Sequence, residues 1–257
     1  MLKKRIIFTL HYADGYFNLS RNFRLQKIGD IDWLLRNYNF LKIAEFIDEL
    51  IIIDVSKESR NKNEFLQCVA TITSGIFVPV SLGGGVQTLD YAKELFESGA
   101  DKININSSLM HDPNLITEIS KTYGSQAIIG HIDFKRIDND YFVYTKNGTH
   151  QYCKITRQFM ENILKLNFGE LLLHSIDKDG TGMNFDFDVL KYLPENNQKP
   201  LIFSGGAGNY HHLSEGLSKK NIDAVSTANL LNFVGEGLIN ARSILLEENK
   251  FSLAKWN

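Results

Sequence analysis

The 257-residue chain has only two cysteines, Cys68 and Cys153, and only four prolines. The cysteines lie far apart with no metal-type spacing; they rule out a disulfide framework and fit a reducing cytoplasm. Few prolines and no low-complexity tract leave no place for a linker, so residues 1–257 read as one domain with room for a generous core. Charge of one sign is also missing. With 28 Lys and Arg against 30 Asp and Glu, the net charge of −2 offers nucleic acid no basic surface. No apolar run is long enough to span a bilayer, so no membrane partner is expected. The start Lys3-Lys4-Arg5-Ile6-Ile7-Phe8 is basic and then apolar, yet too short for a signal peptide and without a small-residue cleavage site. It reads as a first strand.

What is there is an alternation. Strand-like runs at Arg5–Leu10, Glu49–Val55, Val78–Ser81, Lys102–Ile105, Ala127–Asp133, Glu170–Ile176, Leu201–Ser204 and Ala224–Thr227 are mostly separated by amphipathic stretches. Those stretches include Asp90–Ser98, Pro113–Tyr123, Thr156–Leu166 and His211–Lys219. Eight strands with intervening helices predict an α/β fold of the (β/α)8 TIM barrel type. A doubly wound open sheet competes, but no Gly-x-Gly-x-x-Gly follows the first strand. Tyr141-Phe142-Val143-Tyr144 before Asn147-Gly148 predicts a small hairpin over Lys135–Gln151, inserted after the fifth strand.

The two halves repeat. Leu201-Ile202-Phe203-Ser204-Gly205-Gly206-Ala207-Gly208 and Pro79-Val80-Ser81-Leu82-Gly83-Gly84-Gly85 are both buried-type strands breaking into glycines. Glu49-Leu50-Ile51-Ile52-Ile53-Asp54 pairs in the same way with Glu170-Leu171-Leu172-Leu173-His174-Ser175. Glycines let successive N–H groups converge on an anion, so each half offers a phosphate cradle; a plain tight turn would use the same residues. Two cradles on one barrel face would hold a ligand phosphorylated at both ends.

These residues, with Asp14-Gly15, Gly99-Ala100-Asp101-Lys102, Ile132-Asp133-Phe134-Lys135-Arg136 and Ser175-Ile176-Asp177-Lys178-Asp179-Gly180-Thr181, carry a resemblance. The chain resembles HisF, the cyclase subunit of imidazole glycerol phosphate synthase, over nearly its whole length, and most closely the HisF-like paralogues of acetamidino-sugar biosynthesis. The resemblance implies a half-barrel repeat, no cofactor and no metal, and a HisH-type glutaminase docked at the barrel floor, with Asp101 at the contact. It also implies an ammonia gate built from Arg5, Glu49, Lys102 and Glu170. The same four charges would serve equally as a structural ion-pair plug, because inward-facing cations and carboxylates must satisfy one another in either case.

The opposite face departs from the family. Of its two acid/base aspartates the second matches Asp133, but the first falls on His11, and a phosphate-binding lysine falls on Leu19. A histidine there could take a proton near neutral pH. The phosphate positions match Gly83, Gly84, Gly85, Asn106 and Ser107 in one half. In the other they match Asp179, Gly180, Ser204, Gly205, Gly206, Ala228 and Asn229, the last in place of a serine. Strand alternation places His11, His131 and His174 in or near the lumen with Asp133. They read as a polar path for ammonia, a re-specified site, a metal cluster, or hydrogen-bonded core histidines.

The resemblance therefore points to a cytoplasmic subunit of a glutamine amidotransferase complex. It would pass ammonia to a third protein, a sugar amidotransferase acting on a nucleotide-activated N-acetyl sugar for surface polysaccharide or nonulosonic acid. A cyclase of histidine biosynthesis and a non-catalytic scaffold for the glutaminase are the alternatives.

Overall fold

Runs such as Arg-Ile-Ile-Phe-Thr-Leu and Glu-Leu-Ile-Ile-Ile-Asp bury both of their faces only when a strand has neighbours on each side and a helix behind. The computed structural model describes residues 3–37, 44–57, 59–228, 237–248 and 253–254. Eight strands run parallel in the order β10 (Glu170–Ser175), β11 (Leu201–Ser204), β12 (Ala224–Thr227), β1 (Arg5–Ala13), β4 (Glu49–Asp54), β5 (Val80–Gly83), β6 (Lys102–Ile105) and β7 (Ile128–Ile137). Pairing of β7 with β10 closes the ring into a (β/α)8 barrel. The eight predicted strands all form. The third is displaced toward its glycines, and the first and fifth run on past the barrel rim.

Period-two alternation splits the core in two. Ile6, Phe8, Leu10, Leu50 and Ile52 face outward into one large cluster beneath the helices. Ile7, Ile51, Ile129, Leu172, Ile202 and Ala224 face inward and form a separate apolar layer across the lumen. The helices start where the sequence supplies a cap. Thr88 opens α3 (Leu89–Glu97), Asp112 with Pro113 opens α5 (Pro113–Tyr123), Thr156 opens α6 (Arg157–Leu164) and Asn209 opens α7 (Tyr210–Ser218).

At the floor, an aspartate just before an even-numbered barrel strand accepts the otherwise unpaired N–H of the preceding strand. Asp48 accepts from Ile6 at 2.7 Å, Asp101 from Val80 at 2.8 Å and Asp223 from Leu201 at 3.0 Å. One device thus recurs in both halves of the chain.

The other end carries two hairpins, of which the sequence predicts one. β8 (Asp140–Thr145) and β9 (His150–Lys154) extend β7 as expected. β2 (Tyr16–Arg21) and β3 (Arg24–Gly29) extend β1 in the same manner. Their tips are pinned alike. Asn22 Nδ2 donates to the carbonyls of Ile176 and Asp177 at 3.1 and 2.8 Å, past the end of β10. Asn147 Nδ2 donates to those of Val55 and Ser56 at 3.0 Å each, past the end of β4. Phe23 and Gly148, one residue on from each asparagine, pack so closely that a Cβ on Gly148 would meet the Phe23 ring at 2.5 Å. Both hairpins therefore reach across the barrel mouth.

Candidate functional site

The inward residues of the strand starts form a closed ring of charge. Arg5 pairs with Glu49 through one guanidinium nitrogen and with Glu170 at 2.5 Å through the other. Lys102 Nζ sits 3.1 Å from both oxygens of Glu49 and 2.6 Å from Glu170. Every charge touches two of opposite sign. Burial works against ionisation, but Arg5 and Lys102 outweigh it and hold the Glu170 carboxyl below its ordinary range. Asp101 is exposed beside this ring, one oxygen spent on the Val80 N–H.

Above the ring lies the apolar layer, and above that the lining turns polar. Thr9 and Ser226 share a hydrogen bond of 2.6 Å, and Asn104 Oδ1 lies 2.9 Å from His131 Nδ1. The lumen then opens into a cavity of about 620 Å³ bordered by His11, Asp133, His174, Asn106, Ser107 and Ser204. All three lumen histidines expected from alternation are buried there with Asp133, each less than a tenth exposed.

Both predicted cradles reach this face on opposite sides. Gly84 and Gly85 border the large cavity. Asp179, Gly180, Gly205, Gly206 and Ala228 border a small pocket that shares His11, His174 and Ser204 with it. The glycines are required by close packing. Gly84 (φ 107°) and Gly205 (φ 89°) press on the Asp54 and Ser175 carbonyls, where a Cβ would stand 2.2 and 2.6 Å away. Gly83 belongs to β5 and packs on Asn104, outside the cavity lining. Asn229 lies outside the described residues. Asp177 accepts the Arg136 N–H at 2.7 Å, and Asp179 accepts from Ser20 Oγ and the Phe23 N–H, so both carboxylates tie loops together.

The protonation pattern corrects one expectation. Burial brings the His11 imidazole from its ordinary 6.5 down to about 4, despite the attraction of Asp179. His11 is therefore neutral at pH 7 and a poor proton acceptor. His174 is equally buried, but Asp179 at 3.4 Å raises it above its ordinary value, while Asp179 itself is held down at about 2. A depressed His11 contributes stability that is full above pH 6.5 and lost as pH falls toward 4; His174 acts with the opposite sign. An NMR titration of the ring protons should place His11 near pH 4 and His174 above 6.5. Equal values for the two would contradict the pairing of His174 with Asp179.

Sequence reasoning missed the cations at the mouth. Lys57, Arg60 and Lys146 border the cavity from loops, and Arg60 lies 3.6 Å from Asp54. No periodicity marks a loop side chain, and the β2–β3 hairpin at the mouth is unannounced in the sequence. Among the described residues one group has metal-ligand spacing: His131, Asp133 and His174, with ligand atoms within 4.8 Å of one another.

Comparison with known proteins agrees with this architecture. The family model described as Histidine biosynthesis protein matches residues 29–236. A relative from Parasynechococcus marenigrum, provisionally named imidazole glycerol phosphate synthase subunit hisF2, is 46% identical over 256 residues, 100% of this chain and 95% of its own length. Imidazole glycerol phosphate synthase subunit HisF of Pelodictyon phaeoclathratiforme is 37% identical over 246 residues, 95% of this chain and 96% of that one. The same subunit of Chlorobaculum parvum is 34% identical over 249 residues, 96% and 98% of the two chains. On near-complete coverage, a closed parallel barrel and a floor and mouth laid out in repeated halves, this chain belongs to the HisF family.

Proposed function

We propose that the chain is a HisF-like synthase subunit that receives ammonia from a HisH-type glutaminase at its floor and conducts it through the barrel. The acceptor is a nucleotide-activated N-acetyl sugar, amidated with a third protein in surface polysaccharide or nonulosonic acid biosynthesis. The observation that supports this most is the contrast between the two ends. The floor keeps a complete ring of Arg5, Glu49, Lys102 and Glu170, while the mouth has a buried neutral imidazole, His11, at the position of the first acid/base carboxylate.

The route has a physical rationale. Ammonia is neutral and crosses the Ile7, Ile51, Ile129, Leu172 and Ile202 layer at small cost, whereas ammonium would lose its hydration there without a partner. Thr9, Ser226, Asn104 and His131 then offer hydrogen bonds on the way up. Asp101 is exposed at the floor, which supports its reading as the residue that would meet the glutaminase.

A second reading, the cyclase of histidine biosynthesis, draws on Asp133 at the cavity base and on the names of the HisF relatives. Two positioned proton-transfer groups are needed for cyclisation, and His11 is a poor one at pH 7. Mixing the purified chain with its glutaminase, glutamine and the ribonucleotide substrate separates the readings. Absence of cyclised product, with amidated sugar formed once the third protein is added, is the expected result. Cyclisation at the rate of a HisF from a histidine pathway would overturn the proposal.

A further inference from the structure

The base of the cavity holds two ligand-type atoms that have no hydrogen-bond partner, His131 Nε2 and Asp133 Oδ1, and beside them His174 Nε2, which lies 3.4 Å from Asp179 Oδ1 in a geometry that makes no hydrogen bond. The residues are 7%, 6% and 7% exposed, so water does not satisfy these atoms from outside. The strands bring them together. His131 and Asp133 are two apart on β7 and share its inner face, and His174 of β10 is the register partner of Asp133.

The other side of two of these groups is already held. His131 Nδ1 faces the carbonyl oxygen of Asn104 at 2.9 Å, and Asp133 Oδ2 accepts from Asn106 Nδ2 at 3.0 Å. In the tautomer that donates from Nδ1 to this oxygen, Nε2 presents a lone pair. That lone pair lies 2.9 Å from Asp133 Oδ1, in an orientation that makes no hydrogen bond. In that tautomer the two atoms are acceptors facing one another in a buried site, an arrangement that either a proton on Nε2 or a metal cation between them relieves.

We propose that His131, Asp133 and His174 bind one divalent transition-metal ion, zinc by its donor set, where the lumen opens into the cavity. Two imidazoles and one carboxylate suit zinc and disfavour magnesium and calcium, which take oxygen ligands. Three protein ligands leave at least one coordination position facing the cavity, open to a neutral nitrogen or an anionic oxygen. Asn104 and Asn106 are the outer partners that orient such ligands. Zinc at 2.0–2.1 Å sets its ligand atoms roughly 3.3 Å apart, so the present limit of 4.8 Å closes by side-chain rotation on binding. The three residues come from two strands and form no local sequence motif.

Metal content is read without turnover, so the inference stands or falls apart from the ammonia route. The tag-free full-length chain is stripped with chelator, dialysed against zinc chloride alone and assayed by mass spectrometry. Cobalt chloride replaces zinc in a parallel sample to report coordination by visible absorption. The expected result is one equivalent of zinc and a cobalt band. His174→Ala and the near-isosteric Asp133→Asn should each weaken zinc binding at least tenfold, while His150→Ala, on the exposed strand β9, leaves it unchanged. Melting curves recorded for each variant separate loss of ligand from loss of fold. Failure of the folded wild-type chain to retain zinc would overturn the inference, as would equal retention by folded His174→Ala and Asp133→Asn.

Discussion

Lys102→Ala is expected to leave glutamine hydrolysis running in the assembled complex while amidated product per glutamine consumed falls roughly tenfold, because water then enters a route that had excluded it. Lys102 touches three carboxylate oxygens of the ring through one nitrogen, two on Glu49 and one on Glu170. Its removal leaves Arg5 as the single ring cation for two carboxylates. One of them must then draw water, and hydration of the floor lets ammonia leak out instead of passing the apolar layer. The ring is 17% exposed at Lys102, so the stability loss should stay at or below about 3 kcal/mol, the lower end for breaking a buried pair. Expressing product per glutamine cancels any loss of folded complex. Lys102→Arg keeps the charge and should retain more of the coupling than alanine does. A product-to-glutamine ratio unchanged in Lys102→Ala would show that the ring is a plug that holds the barrel shut, with no part in conduction.

The strands of the barrel are readable in the sequence because each is a short apolar run bounded by glycine or charge. Once Arg5 is placed inward, alternation alone carries Ile7, Thr9 and His11 to the lumen. Two kinds of feature were hidden. β2 and β3 turn at Asn22-Phe23, both with positive φ, and phenylalanine is not a residue that announces such a turn. Its conformation is held from outside, by the Asn22 bonds to the end of β10 and by contact with the β8–β9 hairpin. The protonation states were hidden as well. His11 and His174 are identical in sequence terms, and the difference between them arises from Asp179, which the chain brings back 168 and 5 residues later respectively. The glycine loops have the composition of anion cradles. Gly84 and Gly205 meet the ends of β4 and β10 so closely that packing alone accounts for both.

Arg242→Ala is expected to destabilise the chain by about 3–5 kcal/mol, the cost of removing one partner from a buried ion pair. Arg242 lies on α8 (Gly237–Glu247), 7% exposed, and its two terminal nitrogens each meet one oxygen of fully buried Asp48 at 2.9 Å. It also donates to the carbonyls of Phe46 and Ala254, so it joins the last described helix and the C-terminal segment to the floor. Asp48 in turn accepts the Ile6 N–H, which fixes β4 against β1 next to the charge ring. Alanine strands a fully buried carboxylate, so the loss exceeds that of the contacts themselves. For a chain of this size the melting temperature should fall by roughly 10 °C. Adding Asp48→Asn to Arg242→Ala removes the stranded charge while keeping an oxygen for Ile6, and should recover about 1–2 kcal/mol of the loss. That recovery separates buried charge from lost packing: if the double variant melts lower than Arg242→Ala by the full effect of Asp48→Asn alone, the two residues are independent and the ion pair carries no coupling energy.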